Sequence, residues 1–336
     1  MKPNEMALLL KIPKLPTYIA RVEQQMRDRL EAAYPAIGKP ALRIVNGSGK
    51  RLRPMLVIAA AISQGARVDK DVIRAATALE LAHLASLVHD DMLDHADLRG
   101  GVATIHGKEG IDSAILVGDY LLAAASHEAA SVSQAVGSVV SKAITDMCEG
   151  QMRETADTYN VQRTVESYRA TIQNKTAALL GAACEVGGLC AQAPAASCTA
   201  LRKYGQAFGV SYQLIDDLLD FVATTEAMGK PVHNDVKEGV YTLPLLLSLA
   251  GPSRAFVRPW LGKKPERPAT HATVIDRLLR DGSFTDTIAE IKLQNKQAAR
   301  ALRGLSKSAA IEGFLQLPDH YLQSALHKQT VLPRHV

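Results

Sequence analysis

Aromatic side chains make up only 4% of this 336-residue sequence, and its net charge is only +5, from 39 basic and 34 acidic residues. Recognition of nucleic acid needs a pronounced basic face and aromatics on which bases stack, so that class of partner is excluded. Cysteine is equally sparse. Cys148, Cys184, Cys190 and Cys198 fall in apolar, helix-like stretches with neither CxxC nor paired ligand spacing. A disulfide framework and a zinc site are therefore excluded, and buried free thiols in a reducing cytosol are expected. No run reaches the length of apolar sequence that spans a bilayer, and Met1-Lys2-Pro3-Asn4-Glu5 does not open a secretory leader. The sequence thus reads as a soluble, cytoplasmic protein.

What is present favours helices. The AVILMFWYC fraction is 47% and the charged fraction 22%, enough apolar surface to offset the entropy of ordering. Alanine recurs in runs such as Ala59-Ala60-Ala61 and Ala123-Ala124-Ala125, which favour closely packed helices over aromatic, β-branched sheet. The expectation is an all-α protein. Asp69 to Asp94 contains neither glycine nor proline and repeats apolar residues at three and four, and Ala196 to Val222 carries a stripe of Leu201, Tyr204, Phe208, Tyr212, Ile215 and Leu219. Further helices are expected over Glu5–Tyr34, Arg53–Ser63, Ile111–Ala130, Ser141–Thr158, Thr164–Cys190, Asp235–Leu249 and His271–Arg303. The proline-rich stretch Gly251–Pro268 reads as a surface loop within one domain that covers residues 1–336.

Two aspartate clusters carry the chemistry. Asp90-Asp91-Met92-Leu93-Asp94 and Asp216-Asp217-Leu218-Leu219-Asp220 share one spacing, each at the end of an apolar helix. Residues i and i+4 lie on one helical face, so Asp90 and Asp94 can converge. Carboxylates crowded at the negative end of a helix repel one another unless cations intervene, and an all-oxygen donor set suits Mg²⁺ ahead of Mn²⁺ or Ca²⁺. Either cluster alone could be a solvated helix end; two copies argue for a metal. The loop Asn46–Pro54, with Lys50, Arg51 and Arg53 among glycines, could hold a phosphate although it is not a P-loop. Arg99, His106, Lys175 and Lys230 add donors close to the aspartates in sequence. An anionic substrate brought to metal-loaded carboxylates is the chemistry these residues suit.

These motifs, in this order, resemble the trans-prenyltransferases, the polyprenyl diphosphate synthases of isoprenoid biosynthesis. The resemblance rests on GSGKRLRP at 47–54, HLASLVHDDMLDHADLRGG at 83–101, GDYLLA at 118–123, KTAALLGAACEVGG at 175–188, YGQAFGVSYQLIDDLLDF at 204–221 and GKPVHNDVKEGVYTLPLLLSL at 229–249. It implies the isoprenoid synthase fold, a large orthogonal helical bundle around a central cavity. It also implies a homodimer or a heteromer, isopentenyl diphosphate and an allylic diphosphate as substrates, and peripheral membrane contact for product release. Residue by residue, it makes Asp90, Asp91, Asp94, Asp216, Asp217 and Asp220 the metal set, for about three Mg²⁺ ions with substrate bound and Mn²⁺ as substitute. Asp217, with Gln213, would also support the second motif. Lys50, Arg53 and His83 would bind isopentenyl diphosphate, and Arg99, Lys175, Thr176 and Lys230 the departing diphosphate, with Asp90, Asp94, Lys175, Asp216 and Lys230 as the catalytic group.

One position departs from the family pattern: Gly100 stands where a second arginine is usual, which weakens the expected hold on isopentenyl diphosphate. Small residues at Ala85, Ser86 and Ala82, one and two turns before Asp90, leave a path open for a long product of about C30 to C50, with C30 to C40 favoured. The alternatives are a geranylgeranyl or farnesyl diphosphate synthase, a subunit of a heteromeric synthase, and a terpene cyclase; the last would need a different second motif.

Overall fold

The computed structural model describes residues 3–47, 49–222, 234–263 and 271–329. Lys230 lies outside the described residues. Those described are almost wholly helical, in keeping with the all-α expectation, and the only strands among them are the pair β1 (Leu98–Arg99) and β2 (Val102–Ala103). The chain divides into two compact units. The first comprises Met1–Ile144, Leu179–Gly205 and Ala299–Leu317, the second Thr145–Ala178, Gln206–Ala298 and Pro318–Val336.

In the first unit, α1 (Pro3–Leu9), α2 (Leu15–Glu31), α3 (Pro35–Val45) and α4 (Leu52–Ser63) precede α5 (Lys70–Leu93). Asp69 caps α5, its carboxylate accepting from the amides of Asp71 and Val72 at 2.9 and 3.0 Å. With Ala75, Ala76, Ala78, Ala82 and Ala85 fully buried, α5 can approach its neighbours closely, and it packs chiefly against α7 (Ile111–Val132), with α4 and α2 also in contact. Its leucines Leu79, Leu81 and Leu84 are buried as well, each contributing about 1.5–3 kcal/mol. A short α6 (Ile105–Glu109) leads from the hairpin into α7.

The second unit takes the later part of α8 (Gln134–Ala156), all of α9 (Val165–Ile172), and the later part of α11 (Ala195–Val222). Between α9 and α10 (Ala178–Cys190) the backbone makes a π-helical turn over Gln173–Ala177. Phe208, Leu214, Ile215, Leu218 and Phe221 of α11 are buried, Phe221 edge-on to Phe284 at 5.9 Å. The expected long helices are otherwise subdivided. The chain breaks around Lys11 and Gly282, each at positive φ, and α12 (Asn234–Glu238) is separated from α13 (Leu243–Ala250) at Gly239.

The described part of Gly251–Pro268, residues 251–263, is not a plain loop. It contains α14 (Arg254–Val257) and a 3-10 turn at Arg258–Trp260, with Val257 fully buried and the Arg277 guanidinium over the Phe256 ring. Beyond it come α15 (His271–Arg280), α16 (Ser283–Ala301) and α17 (Ala309–Gln329). All four cysteines are free, but Cys148 is exposed rather than buried.

Candidate active site

The basic loop divides its cations between two tasks. Arg51, at φ +53 on the N-cap of α4, turns inward: Nε donates to Glu23 at 2.9 Å, Nη1 to Glu80 at 3.1 Å, and Nη2 to the Val45 carbonyl. Both Arg51 and Glu80 are almost fully buried, so this arginine fixes the loop to the middle of α5. Lys50 and Arg53 remain as the candidate phosphate cations. His83 of α5 is kept neutral, because burial and then Arg53, Arg99 and Arg51 hold its imidazole well below the usual range. Its ring nitrogens offer a substrate hydrogen-bonding groups.

At its C-terminus α5 closes through a Schellman arrangement. The Ala96 amide reaches the Asp91 carbonyl at 2.9 Å, the His95 amide reaches Met92, and His95 adopts φ +50. Asp90, half-buried, and Asp94, exposed, sit one turn apart on this last stretch, while Asp91 is buried. The Asp91 carboxylate accepts from Arg99 Nε at 2.6 Å. Burial raises the Asp91 carboxyl above its ordinary range even against Arg99, and Asp94 pushes it further the same way. Arg99 is delivered by the β1–β2 hairpin, where it pairs with Val102 across Gly100 and Gly101, at φ +57 and +79. Positive φ at both central residues is what a two-residue I′ connection requires. The Gly100 that departs from the family pattern therefore has a local structural use.

In the second unit the π turn carries Lys175 and Thr176. Lys175 Nζ pairs with Glu154 of α8. Thr176 Oγ1 donates to Gln213 Oε1 at 2.6 Å, and Gln213 Nε2 donates to Asp217 Oδ1 at 2.7 Å. The other oxygen of Asp217 accepts from Tyr168 at 2.5 Å. Burial pushes the Asp217 carboxyl up to about 7 in spite of these bonds. Asp216 instead accepts from Tyr321 of α17 at 3.3 Å, and Tyr321 stacks on Tyr212 with ring centroids 4.9 Å apart. Asp220 is buried and accepts from the Asp235 amide at 3.3 Å.

Sequence reasoning found the aspartates, Lys175, Thr176 and Gln213 but missed Glu80, Glu154, Tyr168 and Tyr321. Glu80 had a signal, since a charge inside an apolar helical run must find a partner. Among the described residues no three His, Cys, Asp or Glu side chains form a ready cage for a metal ion. Mg²⁺ is commonly held by one or two carboxylates with phosphate oxygens and water completing its shell. Crowded all-oxygen donors at the negative end of α5 suit that ion. Both oxygens of Asp217 accept from protein donors, one from Tyr168 and the other from Gln213.

The polyprenyl synthetase family matches residues 34–278. The chain is 34% identical over 317 residues to heptaprenyl diphosphate synthase component 2 of Geobacillus stearothermophilus, covering 94% of this chain and 90% of that one. It is 35% identical over 333 residues to octaprenyl diphosphate synthase of Haemophilus influenzae, covering 97% and 96%. Its structure is similar to that of a polyprenyl synthase from Caulobacter crescentus, complexed with calcium and isoprenyl diphosphate, with a TM-score of 0.87 at 30% identity over 96% of this chain and 98% of that one.

Proposed function

The chain belongs to the polyprenyl synthetase family and is a chain-elongating prenyltransferase; we propose that it condenses isopentenyl diphosphate with an allylic diphosphate to give a long all-trans polyprenyl diphosphate. The observation that carries this reading is the end of α5, where Asp90, Asp91 and the capping Asp94 fall within the last turn and Arg99 donates to Asp91 at 2.6 Å. The family match reaches into both units, which supports a single catalytic domain.

Asp90, Asp91, Asp94, Asp216 and Asp220 would hold Mg²⁺. When bound, Mg²⁺ would neutralise charge on a leaving diphosphate and so ease ionisation of the allylic C–O bond. Arg99, Lys175, Thr176 and Lys230 would bind the same group, and preorganised donors of this kind stabilise developing charge without reorganising. Lys50, Arg53 and the neutral His83 would orient isopentenyl diphosphate, whose double bond attacks the allylic carbon. The proton lost from the adjacent carbon then passes to the released diphosphate, so no protein base is required.

A homodimer is the simplest assembly. The relatives named as component 2 favour a second reading, a heteromer, and Ile111, Ile115 and Leu116 give α7 an exposed apolar strip on which either partner could lie. Four free thiols support a cytoplasmic site of action, with the product handed to a membrane surface. No helix among the described residues is long and apolar enough to cross one.

The test is turnover of labelled isopentenyl diphosphate with an allylic primer and Mg²⁺. Asp90→Ala and Asp216→Ala should each lose about 10²-fold or more in kcat with unchanged helicity by circular dichroism. Near-normal activity in either would sink the metal assignment.

A further inference from the structure

Lys175 and Thr176 do not lie on a regular helix. A π turn inserts one residue, which rotates everything after it by about 100° relative to an unbroken α-helix. Such turns persist where their surroundings over-determine them, and two independent features hold this one. On one side is Gly150 of α8: a Cβ there would fall 2.3 Å from the Lys175 amide nitrogen and 2.8 Å from its Cα, so backbone meets backbone. On the other is the chain of hydrogen bonds through Thr176, Gln213, Asp217 and Tyr168, with lengths of 2.5 to 2.7 Å.

That chain has a fixed direction. Asp217 accepts at both oxygens, from Tyr168 and from the Gln213 amide nitrogen, so Gln213 presents its oxygen to the Thr176 hydroxyl. Thr176 then has to donate, which sets its rotamer. Tyr168 is fully buried at the far end, and its hydroxyl anchors the Asp217 oxygen that Gln213 does not use. The four residues thus tie α9 and the π turn to α11, the helix that carries Asp216 and Asp220.

We propose that Tyr168 is a positioning residue for the reaction: acting through Asp217, Gln213 and Thr176, it fixes the π turn carrying Lys175 to the helix carrying the second aspartate cluster. This rests on the proposed function, in which both elements serve the departing diphosphate. A hydroxyl-to-hydrogen change at this position removes the far end of the chain of hydrogen bonds, disturbs the allylic side of the reaction and leaves the isopentenyl side alone.

The experiment compares full-length wild type with Tyr168→Phe. Steady-state kinetics are recorded for each substrate separately, and calorimetry measures Mg²⁺-dependent binding of inorganic diphosphate without turnover. In Tyr168→Phe, the allylic KM and the diphosphate Kd should both rise about tenfold, the scale of one hydrogen bond to a charged group, while the isopentenyl KM stays within about twofold. Gly150→Ala, which displaces the same turn from its other side, should give the same split and decides the matter should Tyr168→Phe not fold. A lowered Tm with unchanged KM and Kd, or an equal rise in both KM values, would make Tyr168 merely structural and overturn the proposal. If wild type turns over no allylic substrate, the assigned function falls on its own; the diphosphate Kd then decides, and equal affinity in both proteins, or none in either, overturns the positioning role.

Discussion

Arg51 Nη1 stands 3.1 Å from Glu80 Oε1, both side chains buried, and this pair joins the loop of Lys50 and Arg53 to the middle of α5. Removing one partner of a buried pair leaves an uncompensated charge. Arg51→Met should therefore cost about 3–5 kcal/mol of unfolding free energy by urea titration, and it should raise the isopentenyl KM because the loop loses its anchor.

The same variant should show a defined pH dependence. Burial raises the Glu80 carboxyl, while Arg51 and then Arg53 oppose the shift. A carboxyl raised in the folded state keeps a proton that the unfolded chain releases. Its stabilising contribution is thus complete below about 4.3, the unfolded value, and is lost as pH rises through the folded value. Without Arg51 the folded value moves higher still. The loss in Arg51→Met should accordingly be larger at about pH 8 than at about pH 5, and a loss independent of pH would show that Glu80 is not the group left behind.

How legible the site was depended on whether its partners are local in sequence. Helix α5 was plain because Asp69 to Asp94 has no breaker and a strong cap, and the aspartate clusters were plain because their spacing repeats. Arg51 was not distinguishable from Lys50 and Arg53, since three cations within four residues look alike until one finds a buried carboxylate 29 residues away. Tyr168 and Asp217 are 49 residues apart, and no periodicity links them. Helix α17, with Tyr321 against Asp216, lay in a tail without a motif and with Pro318 inside it. Gly251–Pro268 misled for the opposite reason: proline at the start of a 3-10 turn is compatible with a short helical segment that buries Val257.

Gly100→Arg tests the position where the family pattern lapses. A Cβ there would meet nothing within 4 Å, but φ is +57, so the substitution carries backbone strain of about 1–2 kcal/mol. The added guanidinium should still lower the isopentenyl KM about tenfold through a charge-assisted bond. Gly100→Ala serves as control, since it bears the strain without the charge. A KM that falls no further in Gly100→Arg than in Gly100→Ala would mean that the arginine finds no diphosphate.

Product length follows from the turn of α5 that precedes Asp90. Ala85, Ala82 and Ala78 are fully buried in the first unit, whereas Ser86 is half-buried and donates its hydroxyl to the His83 carbonyl at 2.8 Å. The two positions expected to line the path are therefore not equivalent. A phenylalanine at 85 must enter a packed core, and overpacking of that kind costs about 1–3 kcal/mol. A phenylalanine at 86 gives up only a local hydrogen bond and projects from a face that already has free surface. Ser86 lies roughly 6 Å along the helix from Asp90 at 1.5 Å per residue, so a ring there would block a chain growing away from the metal after a few condensations. Ser86→Phe should fold with nearly wild-type Tm and shift the product from about C30–C50 to about C15–C20 while keeping the first condensation. Ala85→Phe should lower Tm measurably, whatever its products. Sizing the polyprenyl alcohols after dephosphorylation checks both variants, and an unchanged product ladder in Ser86→Phe would place the path on another face of α5.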